Sequence, residues 1–485
     1  MIDGTSFARV RALVILFVLL ASWPAAAAQL DDAGYLGGNT TDQAFSVAVD
    51  AAGNTYVAGS TESANFPTVN ALQPALKGAT DAFVAKISPD GTTLKYATYL
   101  GGSKLDVVYG IAVDAGGSVY VAGATNSSDF PVTPGVLQNH LAGPLFDAFV
   151  AKLSPSGALV YSTYLGGSYV DIADAIAVDA GRNAYLVGYT CSYDFPTRKP
   201  FQPFLQGGPP GCFAGQDAFV AKISPDATSL VYSTFFGGTG QDEATALALD
   251  ANGGAVVAGY SASNDLPLAG FALTPYRGGR DAFVARFDAS GTLGYASYLG
   301  GTGDDTATGL AVGAAGDVFV TGYTSSPDFP IANAFQNALL GLEDGFVARI
   351  ALAQTSTALV YSTYLGGGDG DRLQAIATDA GGNAYVAGYT ESLDFPTVVP
   401  TQPALGGARD AIVARLDPAG VPTFATFLGG SDIDTGWGLA LHAAPSGVEI
   451  RIGGETLSTD LGTAGAFQPN AQGAADGFAA SIATP

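Results

Sequence analysis

Apolar and polar positions alternate along this chain with the two-residue period of β-strands, in short runs bounded by Gly, Asp or Pro. In the run Phe83, Val84, Ala85 and Lys86, for example, successive side chains are assigned to opposite faces of a sheet. The apolar period near 3.6 residues that marks amphipathic helices is not evident. The pattern therefore predicts an all-β protein built from many short strands.

These runs recur in a fixed order. A Tyr-Leu-Gly-Gly phrase, or its Phe variant, begins at Tyr35, Tyr99, Tyr164, Phe235, Tyr298, Tyr364 and Phe427. An Asp-Ala-Phe phrase, or a variant of it, begins at Asp81, Asp147, Asp217, Asp281, Asp344, Asp410 and Asp476. Each repeat of roughly 65 residues holds four predicted strands, which we label a, b, c and d in chain order.

The connections within a repeat are of hairpin length. The a→b connection at Asp50–Asn54 carries Asp, Gly and Asn, and the c→d connection at Ser88–Gly91 is Ser-Pro-Asp-Gly. A β-solenoid needs a much shorter repeat, whereas a radial array of four-stranded blades fits this one. We therefore predict a seven-bladed β-propeller of four-stranded blades.

The two ends of the chain are complementary. A lone d strand, Leu30–Leu36, opens the repeats, and strands a, b and c close them, the last being Asp476–Ile482. Pairing of these two segments would complete one blade and leave neither strand with an unpaired edge. The N-terminal strand is therefore expected to close the ring with the C-terminal blade.

One stretch carries all the repeated phrases: "DAFVAKLSPSGALVYSTYLGGSYVDIADAIAVDAGRNAYLVGYTCSYDFPT", residues 147–197. It resembles the bacterial seven-bladed β-propeller repeat family called SBBP. The resemblance extends over the whole repeated region and implies an extracellular propeller without an assigned chemistry. The seventh copy departs most from the pattern, with Asp460-Leu461-Gly462 in place of Asp-Phe-Pro.

The first residues have the composition of a secretory signal peptide. Arg9 and Arg11 precede an apolar run, Ala12–Leu20, and small residues follow up to Ala28. The run is shorter than the ~20 residues of a membrane span. We predict a signal peptide over residues 1–28, a single propeller domain over residues 29–485, and a secreted, periplasmic or cell-surface location, with no membrane span after signal removal.

Charge narrows the choice of partners. Removing Arg9, Arg11 and Asp3 from 19 basic and 43 acidic residues leaves 17 against 42, a net charge of −25. Such a surface repels phosphate backbones and anionic lipid, so nucleic acid is not an expected partner. We expect a monomer whose partner is an extracellular protein or a glycan.

The two cysteines lie in one repeat. Cys191 follows a predicted b strand, and Cys212 lies in the loop after it. An oxidising compartment favours a disulfide between them, and the pair lacks the CxxC spacing of a redox site. By loop entropy the bond would contribute about 3 kcal/mol, as a local restraint on a long insertion.

Acidic residues concentrate in the b→c and d→a connections. Calcium is the one cofactor that these residues suggest, because carboxylates and loop carbonyls are its ligands. Without an EF-hand-like string, the stronger reading is structural: Asp at the start of a loop accepts backbone N–H bonds, and the following Phe-Pro packs on the blade. The candidate calcium ligands are Asp129, Asp194, Asp304, Asp305, Asp328 and Asp394.

Catalysis normally breaks repeat symmetry, so residues that occur once were considered separately. His140 is placed in a b→c loop and His442 at an a→b turn on the opposite face, which argues against a shared metal or a triad. Trp437 is expected to pack near the channel. No catalytic residue is assigned, although carboxylate pairs around the channel remain open as a hydrolytic arrangement. Glutamines that recur in the loops are interpreted as packing residues: Gln73, Gln138, Gln202, Gln336, Gln402 and Gln468.

Two functional hypotheses follow. The first is a non-catalytic scaffold that binds a protein or glycan partner through the face carrying the long loops. The second is a calcium-dependent hydrolase or lyase with an acidic site at the channel mouth, which rests on fold analogy. A cluster of non-repeating polar residues in one pocket at the channel would favour the enzyme.

Overall fold

The computed structural model describes residues 28–207, 215–353, 356–445 and 447–484. Within these residues the chain forms 28 strands in seven sheets, each of four strands. The strands of a sheet are antiparallel and follow the order a, b, c, d, and every a strand lines the central channel. The predicted seven-bladed β-propeller is confirmed.

The first three blades follow the N-terminal strand β1 (Gln29–Leu36). Blade 1 consists of β2 (Asp42–Val49), β3 (Thr55–Thr61), β4 (Asp81–Ile87) and β5 (Leu94–Leu100). Blade 2 consists of β6 (Asp106–Val113), β7 (Val119–Thr125), β8 (Asp147–Leu153) and β9 (Leu159–Leu165). Blade 3 consists of β10 (Asp171–Val178), β11 (Ala184–Thr190), β12 (Asp217–Ile223) and β13 (Leu230–Phe236).

The remaining blades repeat this pattern. Blade 4 consists of β14 (Asp242–Leu249), β15 (Ala255–Ser261), β16 (Asp281–Phe287) and β17 (Leu293–Leu299). Blade 5 consists of β18 (Asp305–Val312), β19 (Val318–Thr324), β20 (Asp344–Ala353) and β21 (Ser356–Leu365). Blade 6 consists of β22 (Asp371–Thr378), β23 (Ala384–Thr390), β24 (Asp410–Leu416) and β25 (Pro422–Leu428). Blade 7 contains β26 (Asp434–Ala444), β27 (Gly447–Thr456) and β28 (Asp476–Thr484).

Strand β1 completes blade 7, in the order β1-β28-β27-β26. Leu30 pairs with Ile482 and Leu36 pairs with Gly477 in an antiparallel ladder. Outside the ladder, the backbone N–H of Tyr35 donates to the carbonyl of Gln468 at 2.8 Å. The expected closure of the ring by the two ends of the chain is confirmed.

The hydrophobic core lies between blades. On strand β4, Ala82 and Val84 pack in a cluster shared with blade 2, whereas Phe83 and Ala85 pack in a cluster shared with blade 7. All four side chains are fully buried. Both faces of a blade are thus covered by its neighbours, and the predicted assignment of alternate residues to two faces is confirmed.

The b→c loops cover the outer edge of each blade, which the sequence did not indicate. In blade 1, Val69 exchanges two backbone hydrogen bonds with Ala97 of strand d, at 2.9 and 3.0 Å, and Gln73 bridges to Tyr99. The same pairing recurs at Arg198 with Ser233. Each loop therefore begins on one face of the propeller and then runs along strand d, where it blocks an otherwise free sheet edge.

The opposite face carries short hairpin turns with a repeated ion pair. Lys86 of strand c lies 3.5 Å from Asp50 of the a→b turn, and its ammonium lies 4.7 Å from the ring centroid of Tyr56. The prediction that His442 lies at such a turn is wrong. His442 pairs with Glu449 inside the ladder of β26 and β27, because these two strands extend further than their counterparts in the other blades.

No helix within the described ranges has the length and apolar character of a membrane span. The predicted signal peptide falls almost wholly on residues 1–27, which lie outside the described residues, and so it stays a prediction. Cys191 is buried, whereas Cys212 lies outside the described residues. The predicted disulfide between the two cysteines likewise stays a prediction.

Candidate functional site

Each a strand begins with a buried aspartate, and these residues form the first repeated set. In blade 3, the carboxylate of Asp171 accepts the backbone N–H of Gly167 at 2.7 Å and the hydroxyl of Ser192 at 2.9 Å. It also accepts the hydroxyl of Thr190. We call the set the strand-start aspartates: Asp42, Asp106, Asp171, Asp242, Asp305, Asp371 and Asp434.

Burial dominates the electrostatics of the strand-start aspartates. It raises the pKa of Asp171 to about 7 and that of Asp106 to about 6, although the hydrogen bonds oppose the shift. All seven of these described residues are at most 1% exposed. Each carboxylate ties the Gly-Gly segment before its strand to the end of strand b, as Asp171 does through Thr190, the last residue of that strand, and Ser192. The set is a repeated structural device, because the same bonds recur around the ring.

The aspartate that begins strand c forms a second repeated set. In blade 1, Asp81 accepts the side-chain amide of Gln73 at 2.7 Å and the backbone N–H groups of Lys77 and Gly78 at 2.9 Å. Gln73 in turn accepts the N–H of Gly101 at 3.0 Å. Equivalent Gln–Asp bonds occur in blades 2, 3, 5 and 6. The interpretation of the recurring loop glutamines as structural residues is supported there by direct hydrogen bonds.

The Asp-Phe-Pro segments fix the start of each long loop. Asp129 accepts the backbone N–H of Ser103 at 2.8 Å. Phe130 is 3% exposed, and its ring centroid lies 4.5 Å from that of Phe149 and 6.0 Å from that of Tyr164. In the divergent seventh copy, Asp460 still accepts a backbone N–H, from Ser431 at 2.9 Å. The structural reading of these segments is therefore supported.

The six candidate calcium ligands do not converge. Asp129, Asp194, Asp328 and Asp394 are exposed and lie in different blades, each accepting a backbone N–H of the loop that enters its own blade. Asp305 is a buried strand-start aspartate, and its neighbour Asp304 is exposed. Among the described residues, no group of three or more His, Cys, Asp and Glu side chains is placed to hold a metal ion.

The residues that differ between blades lie on the channel wall. Each a strand has a β-bulge against strand b, as between Ala173 and Ala175 in blade 3. The bulge leaves one residue of each a strand out of the ladder, and all of these residues line the central cavity. We call them the bulge ring: Phe45, Tyr109, Asp174, Thr245, Thr308, Gln374 and Trp437.

A glycine in strand b makes each bulge possible. A Cβ on Gly123 would lie 1.9 Å from the carbonyl oxygen of Val107, and the equivalent Gly188 would meet Ile172 at 2.0 Å. A glycine inside a strand is a sequence sign of a bulge or of close backbone approach. The glycine of the strand b segment "AYVAGYT", residues 384–390, is such a sign in the sequence.

The bulge ring has two unlike arcs. Trp437, Phe45 and Tyr109, from three consecutive blades, form an aromatic arc in which the ring centroid of Phe45 lies 6.1 Å from that of Trp437 and 5.7 Å from that of Tyr109. The expected position of Trp437 near the channel is thus confirmed. The polar arc is formed by Asp174, Thr245, Thr308 and Gln374.

Two members of the polar arc are bonded to neighbouring blades. Thr245 donates to the carbonyl of Ala307 at 2.6 Å, and Thr308 donates to that of Leu373 at 2.7 Å. Asp174 differs from them, because its Oδ2 is enclosed and has no hydrogen-bond partner among the described residues. Burial and the nearby carboxylate of Glu243 raise the pKa of Asp174 well above its ordinary value.

Charged groups beside the channel are mostly paired. Glu243 accepts the hydroxyl of Tyr260 at 2.7 Å and the side-chain amide of Gln216 at 3.1 Å. On another blade, Arg372 donates to Glu343 at 2.9 Å and stacks 4.3 Å from the ring centroid of Tyr323. Asp174 is therefore distinguished from its charged neighbours by the lack of a partner.

The two described histidines are far apart in the fold. His140 is exposed in a b→c loop, where its Nδ1 lies 3.0 Å from Asn139, and His442 lies in strand β26. The two histidines are not brought together in the structure, which agrees with the prediction that they share neither a metal nor a triad. Neither histidine lines the central cavity.

Comparison with known proteins agrees with this geometry. The SBBP family model, described as a β-propeller repeat, matches residues 34–67, 95–131, 160–196 and 360–396. Four segments of the chain therefore carry the SBBP β-propeller repeat. The four matched segments each run from a strand d into the next blade's strands a and b, so the SBBP repeat is offset from the structural blade.

Among curated proteins, this SBBP propeller is 25% identical over 358 residues to the regulatory protein FlaEY of Caulobacter vibrioides. The match includes 70% of this chain and 35% of the relative, so the chain spans about a third of the length of that protein.

Two solved structures are similar to this chain at low sequence identity. The WD40 domain of Pan2 from Neurospora crassa is 11% identical, with a TM-score of 0.44 over 94% of this chain and 97% of that domain. The quinohemoprotein alcohol dehydrogenase ADHIIG from Pseudomonas putida is 12% identical, with a TM-score of 0.41 over 94% of this chain and 76% of that enzyme. These values carry no information about function.

Proposed function

We propose that this propeller is a non-catalytic scaffold that binds a protein or glycan partner through its long-loop side, which comprises the b→c and d→a connections. The supporting observation is the distribution of exposed apolar side chains. Of the seventeen large hydrophobic residues exposed in the described part of the chain, all but Val160 and Val421 lie in these connections. Phe204, Leu342 and Leu393 are 72%, 92% and 81% exposed.

The long-loop side suits recognition because it is variable in sequence and firmly held. The Asp-Phe-Pro anchors and the Gln–Asp bonds fix both ends of the loops, while the exposed residues between them differ from blade to blade. Such preorganised loops lose little conformational entropy on binding. A rigid scaffold with variable loops is the usual design of a binding surface.

The proposal includes an extracellular setting and a monomeric protein. Residues 1–28 have the composition of a signal peptide, and Cys191 and Cys212 are proposed to form a disulfide in an oxidising compartment. A net charge near −25 favours partners that are neutral or cationic over nucleic acid. The name of the curated relative, a regulatory protein, is compatible with a role in binding.

Loop variants test the proposal. The protein is applied to a glycan array and to surface proteins of the source cell, and retained partners are then titrated against Phe204→Ser and Leu342→Ser. Each variant is expected to weaken binding by about tenfold, because exposed apolar anchors dominate interface energies. Val160→Ser, which changes a side chain that is 51% exposed on strand β9, is the control. Binding that survives both loop substitutions unchanged would contradict the proposal.

The alternative is a calcium-dependent hydrolase or lyase at the channel, and the proximity of Asp174 to Glu243 is the observation that favours it. A calcium site would raise the midpoint of thermal unfolding when calcium is added and lower it with a chelator. Hydrolysis of array glycans that is lost in Glu243→Gln would support the enzyme. An unchanged midpoint and intact glycans would leave the scaffold as the better account.

A further inference from the structure

The central cavity has the features of a ligand site. Its volume is about 260 Å³, a little below the roughly 300–1,000 Å³ of most small-molecule pockets. Since water occupies about 30 Å³ per molecule, the cavity has room for a small organic group together with water. Its wall combines the aromatic arc with the carboxylate of Asp174, at positions whose residues differ between otherwise similar blades.

The charge of the wall selects the sign of the ligand. Asp174 is the charged residue among the described residues that line the cavity, and no Lys or Arg side chain lines it. The enclosed Oδ2 of Asp174 has no hydrogen-bond partner among the described residues, so ionisation of this carboxyl is costly, and a cation that pairs with it would offset that cost. An anion would find no Lys or Arg side chain on the described part of the cavity wall to pair with.

The aromatic arc selects the kind of cation. Aromatic faces attract ammonium groups, and rows of such side chains are a common means of binding methylated or alkyl ammonium ions. A hard metal ion would need several oxygen ligands, whereas the cavity wall offers one carboxylate, and its two threonine hydroxyls donate to other blades. An organic ammonium group therefore fits the wall better than calcium does.

We propose that the central channel binds a small organic ammonium ion, with Asp174 as its counter-ion and Phe45, Tyr109 and Trp437 as its aromatic contacts. This site is separate from the apolar anchors of the long-loop side, so either proposal can fail without the other. The ammonium group is that of a free small molecule or of a lysine side chain inserted by a partner.

Calorimetric titration of the full chain tests the site. Choline chloride is compared with 3,3-dimethylbutan-1-ol, which has the same shape without the charge, and with N-acetyl-lysinamide, which represents a partner's lysine. We expect one of the two cations to bind at least about tenfold more tightly than the neutral alcohol. Tighter binding of choline indicates a free ligand, and tighter binding of the lysine amide indicates a partner's side chain.

Variants locate the binding within the channel. Asp174→Asn is expected to weaken cation binding by about tenfold, and Trp437→Leu by about fivefold. Thr308→Val is the matched control, because Thr308 lies on the same ring but its hydroxyl is already bonded to Leu373. Circular dichroism verifies that each variant is folded.

Three outcomes would overturn the proposal. They are the absence of saturable binding of either cation by about 20 mM, equal binding of the neutral alcohol, and full binding by folded Asp174→Asn and Trp437→Leu proteins. Trp437→Phe adds a second readout, because it should keep cation binding while removing any tryptophan emission change caused by the ligand.

Discussion

Asp171 and Asp174 lie on the same strand, three residues apart, and differ in their hydrogen bonds and in whether the other blades carry the same residue. Asp171 belongs to a set with the same residue in every blade and accepts three hydrogen bonds. Asp174 occupies a position with a different residue in every blade but for two threonines, and its Oδ2 has no partner among the described residues.

The contrast distinguishes two kinds of position within a repeat, those that hold the fold and those that are available for binding. Positions that recur around the ring hold the blades and loops together, as the strand-start aspartates and the Asp-Phe-Pro segments with their variants do. Positions that vary, such as the bulge ring and the exposed loop residues, do not require one residue type for the fold and are free to serve binding. Repetition in this protein indicates structure, and departure from repetition indicates candidate function.

The largest predicted loss of stability comes from truncating the buried Phe of an Asp-Phe-Pro segment. Phe130→Ala removes a ring that is packed between Phe149 and Tyr164, and it should lower the free energy of unfolding by about 3–5 kcal/mol. Phe335→Ala is the control, because Phe335 lies in the b→c loop of blade 5 but is 44% exposed. Urea denaturation measures both variants, and equal midpoints would contradict the assignment.

A smaller loss is expected from the repeated carboxylates. Asp305 accepts the N–H of Gly301 and the hydroxyl of Ser326, each at 2.8 Å, so Asp305→Ala leaves buried donors unpaired and should cost about 3 kcal/mol. Asp304→Ala changes the adjacent, exposed carboxylate and should leave the midpoint unchanged. If the two variants were equally stable, the strand-start aspartates would not be the structural device described above.

The dependence of stability on pH should distinguish the two faces of the propeller. Strand-start aspartates have a raised pKa in the folded state, near 6 for Asp106 and Asp305, so the stability they contribute is full below pH about 4 and is lost as pH rises through about 6. Partial burial raises the pKa of Asp50 at an a→b turn, but hydrogen bonds from Asn54 and Tyr56 outweigh burial and lower it.

The turn aspartates therefore act in the opposite sense, because their contribution is present above the ordinary pKa of aspartate and is lost as pH falls below it. The urea midpoint should therefore be highest near about pH 4 and fall as pH rises through about 6. Asp171→Asn should reduce the decline between about pH 4 and pH 7, because it removes one raised pKa. A midpoint that rises steadily up to about pH 8 would contradict this account.

Much of the fold was predictable from the sequence because repetition multiplies weak signals. The strand patterns of single blades are short, but the same phrases in the same order determine the blade number, and the complementary ends determine how the ring closes. The structural role of Asp-Phe-Pro was also predictable. An Asp at the start of a loop commonly accepts backbone N–H groups, and the Phe after it can pack on the blade.

The candidate channel site was not predictable in the same way. The bulge-ring residues differ in type between blades, so no repeated phrase marks Asp174 or Gln374. The bulge that places these residues on the channel wall is visible in the sequence only through the glycine of the paired strand b. Pairing of the b→c loops with strand d was also missed, because it depends on backbone bonds, as at Val69 and Ala97, rather than on side-chain identity.

The most direct measurement compares urea unfolding of Asp171→Ala and Asp174→Ala. The account predicts a loss of about 3 kcal/mol for Asp171→Ala, whose hydrogen-bond donors become unpaired. Asp174→Ala should be as stable as the parent protein or more so, because it removes an enclosed carboxylate without a partner. An equal loss of stability in both variants, or a loss confined to Asp174→Ala, would contradict the distinction between the strand-start aspartates and the bulge ring.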